Sequence, residues 1–215
     1  MTMETLMTYM AAFGLATGAG AKAFIPILAL GALSYTPYFE LADRFAWIAD
    51  PVVMAVLGVL VVLELVVDAH PDLGRFSDVA SYLPKIVAGF IGFAAVTGRL
   101  DPDVAQLGAS GVLGGGTAAG VHWLRNRVRA PFRDLAEDAH EGAGKLATLT
   151  EAGASATMAG TALVAPPVSM ALALVFVGGS IAVARRAAGR RSPCPHCGGE
   201  TRPGAIVCPH CRREL

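Results

Sequence analysis

Charge is scarce in this chain. Only 16% of its 215 residues are Asp, Glu, Lys or Arg, against 54% hydrophobic, a balance that a soluble domain of this size rarely reaches. Aromatic residues are also few, at 7%. Cysteine is missing from the whole body of the chain, the first of four being Cys194, which excludes a disulfide framework there. No HExxH motif and no nucleophile elbow occurs, so those routes to a catalytic zinc or an activated serine are closed. Glu64 and Asp68 share one helix face, whereas paired-acid hydrolysis needs carboxyls converging from opposite sides. No enzymatic activity is expected. The formal net charge of zero carries no information about nucleic acid. Before the first apolar run the only charge is Glu4, where a cleavable signal peptide would carry a basic region.

What the chain has in quantity is apolar sequence. Six runs stand out: Leu6–Leu33, Val52–Ala69, Val79–Thr97, Val104–Leu124, Leu146–Val164 and Val168–Ala184. Each is near the roughly 17 to 25 residues that a membrane-spanning helix needs. The spacing predicts an all-α, polytopic transmembrane bundle of about six spans over residues 1–184, one or two of them broken or re-entrant, then a basic linker (185–192) and a small metal-binding tail (193–215). A soluble bundle would need a polar face on each helix, and the second run has none from Val52 to Leu63. Two runs are atypical. The third carries Pro84 and Lys85 near its start, and Pro166-Pro167 allows the last two to form a tight helical hairpin or a shallow re-entrant pair.

The segments between runs differ in charge. Glu40, Asp43, Arg44 and Asp50, then Arg99, Asp101 and Asp103, make two loops acidic on balance. Arg125, Arg127, Arg129, Arg133 and Lys145, then Arg185, Arg186, Arg190 and Arg191, make two basic segments. With six spans, the basic segments and both termini fall on one side, and the tendency of basic loops to stay inside makes that side the cytoplasm. Trp47, Trp123, Tyr35 and Tyr38 fall near segment ends, where amphipathic rings favour a membrane interface.

Four ionisable groups interrupt the apolar runs: Lys22, Glu64, Asp68 and Glu151. In the first run, Gly14, Gly18 and Gly20 offer a thin face, and Pro26 removes a backbone hydrogen bond just after Lys22. A broken helix that holds an ion and close helix packing with a snorkelling Lys22 are both open. A charge in mid-helix usually faces protein, finds a partner or is neutralised. Lys22 is the expected partner of Glu64 if the first two helices pack antiparallel. Asp68, one turn on, would extend a polar track or sit solvated at the interface. Thr148, Thr150, Ser155 and Thr157 beside Glu151 would line a wet path or bond back to their own helix. Thr17–Lys22 is echoed in type by Thr117–His122, on helices that six spans would run in opposite directions, as an inverted repeat demands. The echo of Asp68-Ala-His70 in Asp138-Ala-His140 has a different offset, so the two matches do not form one repeat.

The last segment changes character. Cys194 and Cys197 form one CxxC knuckle, Cys208 and Cys211 a second, with ten residues between. Four thiolates suit a tetrahedral, closed, structural Zn²⁺ site. Gly198 follows the first knuckle, where a positive φ helps turn the chain, and Arg212 takes the equivalent place after the second. His196 and His210 are alternative ligands, and disulfides an alternative pairing that a reducing compartment disfavours. From Pro193 to Arg212 the tail resembles the short zinc ribbons with CPxC knuckles found at the ends of many bacterial proteins.

The body resembles a family of small bacterial integral membrane proteins catalogued as domain of unknown function 4126. Gly20-Ala-Lys22-Ala-Phe24-Ile-Pro26 and Glu64-Leu-Val-Val-Asp68-Ala-His70-Pro71 carry the likeness, which extends more loosely from Gly14 to Ala184. His70 stands where a lysine is usual. The resemblance implies a multi-span helical protein of the bacterial inner membrane and brings no activity with it. Two functions fit. In one, Lys22, Glu64, Asp68 and Glu151 line a path for a small solute or ion. In the other, the helices anchor a zinc ribbon that, on its basic Arg185–Arg191 stem, binds a cytoplasmic protein partner, nucleic acid or anionic headgroups. Lipid, the solute, that partner and a second copy of the chain are the partners to be considered.

Overall fold

The computed structural model describes residues 2–70, 79–98, 108–139, 142–189, 192–201, 207–208 and 210–215. The described chain is mostly helical. In order it forms α1 (Met3–Ala21), α2 (Phe24–Leu33), a 3-10 turn (Asp43–Ala49), α3 (Pro51–Ala69), α4 (Tyr82–Thr97), a π-helical turn (Gly111–Gly115) that runs into α5 (Gly116–Ala139), α6 (Gly142–Val164) and α7 (Pro166–Gly189). Two-residue strands β1 (Ser192–Pro193) and β2 (Glu200–Thr201) pair antiparallel in the tail. The acidic loop with Arg99, Asp101 and Asp103, and the residues His140, Arg190 and Arg191, lie outside the described residues, as does the side chain of Arg133.

The first apolar run is two helices, not one. Thr2 caps α1 through its side chain, and Lys22 ends it by moving to an extended conformation, φ −137° and ψ 118°. Ala23 is already helical again, at φ −61° and ψ −49°. That single extended residue reverses the chain. Pro26 lies 3.2 Å from where a Cβ on Gly18 would stand, whereas eight residues of continuous helix would hold the two about 12 Å apart. Pro26 falls in the first turn of α2, where a missing N–H costs no intrahelical bond.

Contacts fix the directions of the other helices. Tyr9 and Phe13 pack on Phe93, towards the end of α4, while Lys85 near its start reaches the Ala21 carbonyl, so α1 and α4 are antiparallel. Gly114 meets Gly89, and His122 lies beside Lys85, so α5 also opposes α4. It follows that α1 and α5 are parallel, and Thr17–Lys22 and Thr117–His122 are not halves of an inverted repeat. Ser169 Oγ donates to the Met158 carbonyl, so α7 folds back on α6 at Pro166-Pro167 as a helical hairpin. One end of the bundle gathers Pro51, Gly98 and the start of α1. The other gathers Ala21, Asp68, Lys85 and Arg125. The expectation of both termini on one side assumed an uninterrupted first span; the reversal at Lys22 places the start of α1 at the end opposite Asp68.

Helix α1 is the axis of the bundle, buried at nearly every position from Ala11 to Ala21. Its small residues allow close approach. A Cβ on Gly20 would stand 2.7 Å from the Ala118 carbonyl and 2.6 Å from Val121 Cβ. Between α4 and α5, a Cβ on Gly89 would meet the Gly114 carbonyl at 2.5 Å.

Among the described residues only α3 and α7 are long and apolar enough to cross a membrane. The other expected spans depart for separate reasons. Helices α1 and α2 divide one run, α4 has 16 residues, and α5 carries arginines that were assigned to a loop. Both long apolar helices lie on the outside. Helix α3 exposes Val52, Val56, Val59, Val62 and Val66, and α7 exposes Val168, Leu174, Val175 and Val183. Asp50 caps α3, accepting from the Val52 and Val53 amides, with Pro51 at the first position.

These contacts predict opposite outcomes for two glycines. Gly89→Ala should cost about 1–3 kcal/mol in thermal or denaturant unfolding, because the added methyl meets backbone. Gly58→Ala, with nothing within 4 Å of the new methyl, should be neutral or stabilising by up to about 1 kcal/mol.

Candidate functional site

Breaking a helix frees polar backbone groups, and buried groups of that kind need partners. At the start of α2, the Ala23 and Phe24 amides donate to the two oxygens of Glu64, at 3.0 and 3.5 Å. At the end of α1, the Gly18 carbonyl accepts from Ser155 Oγ at 2.9 Å and the Ala21 carbonyl from Lys85 Nζ at 3.2 Å. Each helix end thus meets the charge its dipole favours, an acid at the N-terminus of α2 and a cation at the C-terminus of α1.

Around the break lies a buried ionic cluster. Asp68 Oδ2 accepts from Lys22 Nζ in a very short contact and from Arg125 Nη2 at 2.6 Å. Arg125 also places Nε and Nη2 on Glu151 Oε2, at 2.9 and 2.7 Å. Arg129 Nε faces Glu151 Oε1 at 3.4 Å, and its Nη2 donates to Thr148 Oγ1 at 2.7 Å and to the Asp68 carbonyl at 3.3 Å. Lys85 stands 4.0 Å from Glu64 Oε1 and 2.9 Å from His122 Nδ1. Lys22, Lys85 and His122 are fully buried.

The structure brings Lys22, Glu64, Asp68 and Glu151 into one cluster, with the pairing changed. Lys22 serves Asp68, while Glu64 turns one helical turn away to the start of α2. Asp68 is buried, not solvated at an interface. The hydroxyls of α6 divide between the two alternatives. Thr150 and Thr157 bond back to their own helix, and Ser155 and Thr148 bond across helices. Lys85, His122, Arg125 and Arg129 join the cluster without having been singled out for it. A signal was present: His122, Arg125 and Arg129 recur at i, i+3 and i+7, the spacing of one helix face.

A cleft of about 250 Å³ reaches this region, lined by Ala23, Phe24, Leu63, Glu64, Val67 and Pro84 among others. Its walls are mostly apolar, with the Glu64 carboxylate, Ser81 and the break as polar features. Of the cluster's members named above, Glu64 lines the cleft.

In the tail the four cysteine sulfurs lie within 4.8 Å of one another. Cys194 and Cys211 are 3.8 Å apart, Cys197 and Cys208 3.7 Å, too far for disulfides. A tetrahedron with metal–sulfur bonds of about 2.3 Å has edges of about 3.8 Å, so the donor set fits zinc. The two knuckles are built alike. Gly198 and Arg212 both take positive φ, 71° and 57°, and their amides donate to the Cys194 and Cys208 carbonyls. Arg212 thus holds a turn that favours glycine. The ring of His210 lies against Gly199, and neither histidine belongs to the sulfur cluster. The backbone amide of Cys211, opposed by desolvation and assisted by that of His210, holds the Cys208 thiol down to about 6. Cys197 is pushed up to about 12, against the amide of Gly199, by desolvation and three neighbouring sulfurs.

Fold and site define a helical bundle with a buried ionic core at a helix break, followed by a four-cysteine tail that could hold a metal such as zinc. The chain belongs to the family described as domain of unknown function (DUF4126), which matches residues 9–186. The match takes in every member of the ionic cluster and ends before the cysteines. No curated protein and no solved structure matches the chain.

Two outcomes are expected. Asp68→Asn leaves Lys22 and Arg125 facing a neutral group and should cost about 3–5 kcal/mol in unfolding. Metal-free protein given zinc at neutral pH should bind one ion per chain with release of protons. Because zinc displaces the protons of the cysteines, with Cys197 pushed up to about 12 and Cys208 held down to about 6, zinc capture followed by a colorimetric chelator should weaken as pH falls, and most steeply below about pH 6 where Cys208 also binds a proton.

Proposed function

We propose that this chain is a multi-pass protein of the bacterial cytoplasmic membrane that moves a small solute or ion through the site at the Lys22 break. The membrane assignment is supported by the outward apolar faces of α3 and α7. Such faces would be costly in water over this area and are satisfied by lipid. Exposed Tyr35, Tyr38 and Trp47 at one end, and Trp123 with Arg127 stacked 4.6 Å over its ring at the other, suit the two interfaces. The basic residues Arg185 and Arg186 support a cytoplasmic side for the ion-cluster end and the zinc-binding tail. The amino terminus, whose one charge before α1 turns apolar is Glu4, then lies on the far side.

One observation carries the transport assignment: Glu64 both caps the free end of a discontinuous helix and opens onto the cleft. Broken helices whose ends meet charge are the usual construction of ion and substrate sites in transporters. Permeant and protein group share one requirement there, compensation for charge in a medium of low dielectric. The four-cysteine cluster of the tail favours a second role. Its paired knuckles would suit docking a cytoplasmic protein while the helices serve as anchor.

Two experiments divide these readings. Reporters fused to each end should label opposite sides of the membrane, and labelling on one side contradicts the proposed topology. In reconstituted vesicles, charge movement on solid-supported membranes should be read across small inorganic ions and charged solutes. Glu64→Gln should reduce the wild-type signal at least about tenfold, while deletion after Arg191 leaves it. No signal that depends on Glu64 under any condition would sink the transport reading.

A further inference from the structure

The cleft beside the Lys22 break is bounded by α2, α3 and the start of α4, and its wall has two characters. Phe24, Leu60, Leu63, Val67 and Pro84 make most of it hydrocarbon, and Glu64 sets one carboxylate among them. The Glu64 side chain is only 8% exposed, so a guest meets the charge largely out of water. The space is about 250 Å³, below the range of about 300–1,000 Å³ typical of pockets for drug-sized ligands. It fits a small molecule.

The carboxylate has accepting capacity left. Its Oε1 takes the Ala23 amide at 3.0 Å and stands 4.0 Å from Lys85 Nζ. Its Oε2 takes, among the described residues, only the long bond from the Phe24 amide at 3.5 Å. Lys85 donates to the Ala21 carbonyl and is not part of the cleft wall. An ionised carboxylate offers about four acceptor positions, so a donor that enters the cleft finds one ready.

Guests of different chemistry fit this wall unequally. An anion is repelled by Glu64. A bare metal ion needs about six oxygen ligands, whereas the side chains of the wall supply this carboxylate and the Ser81 hydroxyl. A wholly apolar guest strips water from the carboxylate and returns no hydrogen bond, which is costly for a buried charge. A protonated amine with a hydrocarbon body suits both parts of the cleft. Its N–H bonds donate to the carboxylate in a charge-assisted hydrogen bond, and its body covers the apolar wall.

The position of the cleft along α3 agrees with this. Glu64 stands little more than one turn before the helix ends at Ala69, and Leu60 lies one turn further in. Leu63, in the same wall, is 52% exposed, so the cleft adjoins the apolar face read as lipid-facing. An amphiphilic amine keeps its charge at the headgroups and its body among the chains, the order in which the cleft offers Glu64 and Leu60.

We propose that this cleft binds a small organic ammonium compound, its nitrogen on Glu64 and its hydrocarbon body along Leu60, Leu63 and Pro84, and that such amines are the solutes the chain moves. Movement of the amine rests on the transport reading, whereas its binding does not.

The test uses para-fluorobenzylammonium, with para-fluorobenzyl alcohol and para-fluorobenzoate as neutral and anionic counterparts of similar shape. Each is titrated by ¹⁹F NMR against the full chain in lipid nanodiscs at neutral pH. The ammonium should bind saturably, at least about tenfold more tightly than either counterpart. Glu64→Gln should erase that advantage. Because Glu64 also caps α2, a second variant leaves the carboxylate in place: Ala80→Trp fills the cleft from an exposed position of its wall and should abolish saturable binding. The proposal is overturned by an absence of saturable binding, by alcohol or benzoate binding as tightly as the ammonium, or by ammonium binding that survives Ala80→Trp. Ammonium binding without Glu64-dependent charge movement for any solute would remove the transport reading and keep the site. Glu64-dependent movement of inorganic ions without ammonium binding would do the opposite.

Discussion

Backbone amides and carbonyls released where a helix stops must find partners inside the protein, and most of this bundle is arranged around meeting that need at one residue. Lys22 leaves helical geometry for a single step, and four side chains from three other helices answer: Glu64 from α3, Lys85 from α4, Ser155 from α6, and Asp68, again from α3, which takes the Lys22 ammonium itself. Without them the reversal would bury several unsatisfied groups at about 1–3 kcal/mol each. Because the partners come from α3, α4 and α6, the break ties those helices to α1 and α2.

The ionic cluster follows from that arrangement. Once Glu64 and Lys85 are committed to helix ends, Asp68 and Glu151 remain to balance Lys22, Arg125 and Arg129. Arg125 suits the central place, since its planar fork can serve two carboxylates at once. The small residues of α1, α4 and α5 matter as much. Close approach at Gly20 and Gly89 brings backbone near backbone, and so allows side chains on α1 and α5 to converge on one point. Charge, helix break and glycine packing are three parts of one construction.

Much of this was legible in the residues. Lys22 before Pro26, after three glycines, marks the break, and the paired CxxC knuckles mark a four-sulfur cluster. What was not legible is tertiary. A run of 28 apolar residues gives no sign that its two halves fold back, because one extended residue reverses the chain and composition does not record it. That reversal also puts the start of α1 at the end of the bundle opposite Asp68. Arg125 and Arg129 looked like loop cations because they follow an apolar run, yet α5 continues through them to Ala139. Their helical spacing with His122 was the available clue. The choice of Asp68 over Glu64 as the partner of Lys22 depends on helix rotation, which sequence alone does not fix.

Site-resolved hydrogen exchange at the Ala23 and Phe24 amides, in protein held in lipid, tests the central claim most directly. If Glu64 caps the start of α2, both amides exchange slowly in the wild type and are selectively accelerated in Glu64→Ala, while amides in the middle of α3 keep their protection. Rapid exchange at both positions in the wild type, or protection indifferent to Glu64, would contradict the account.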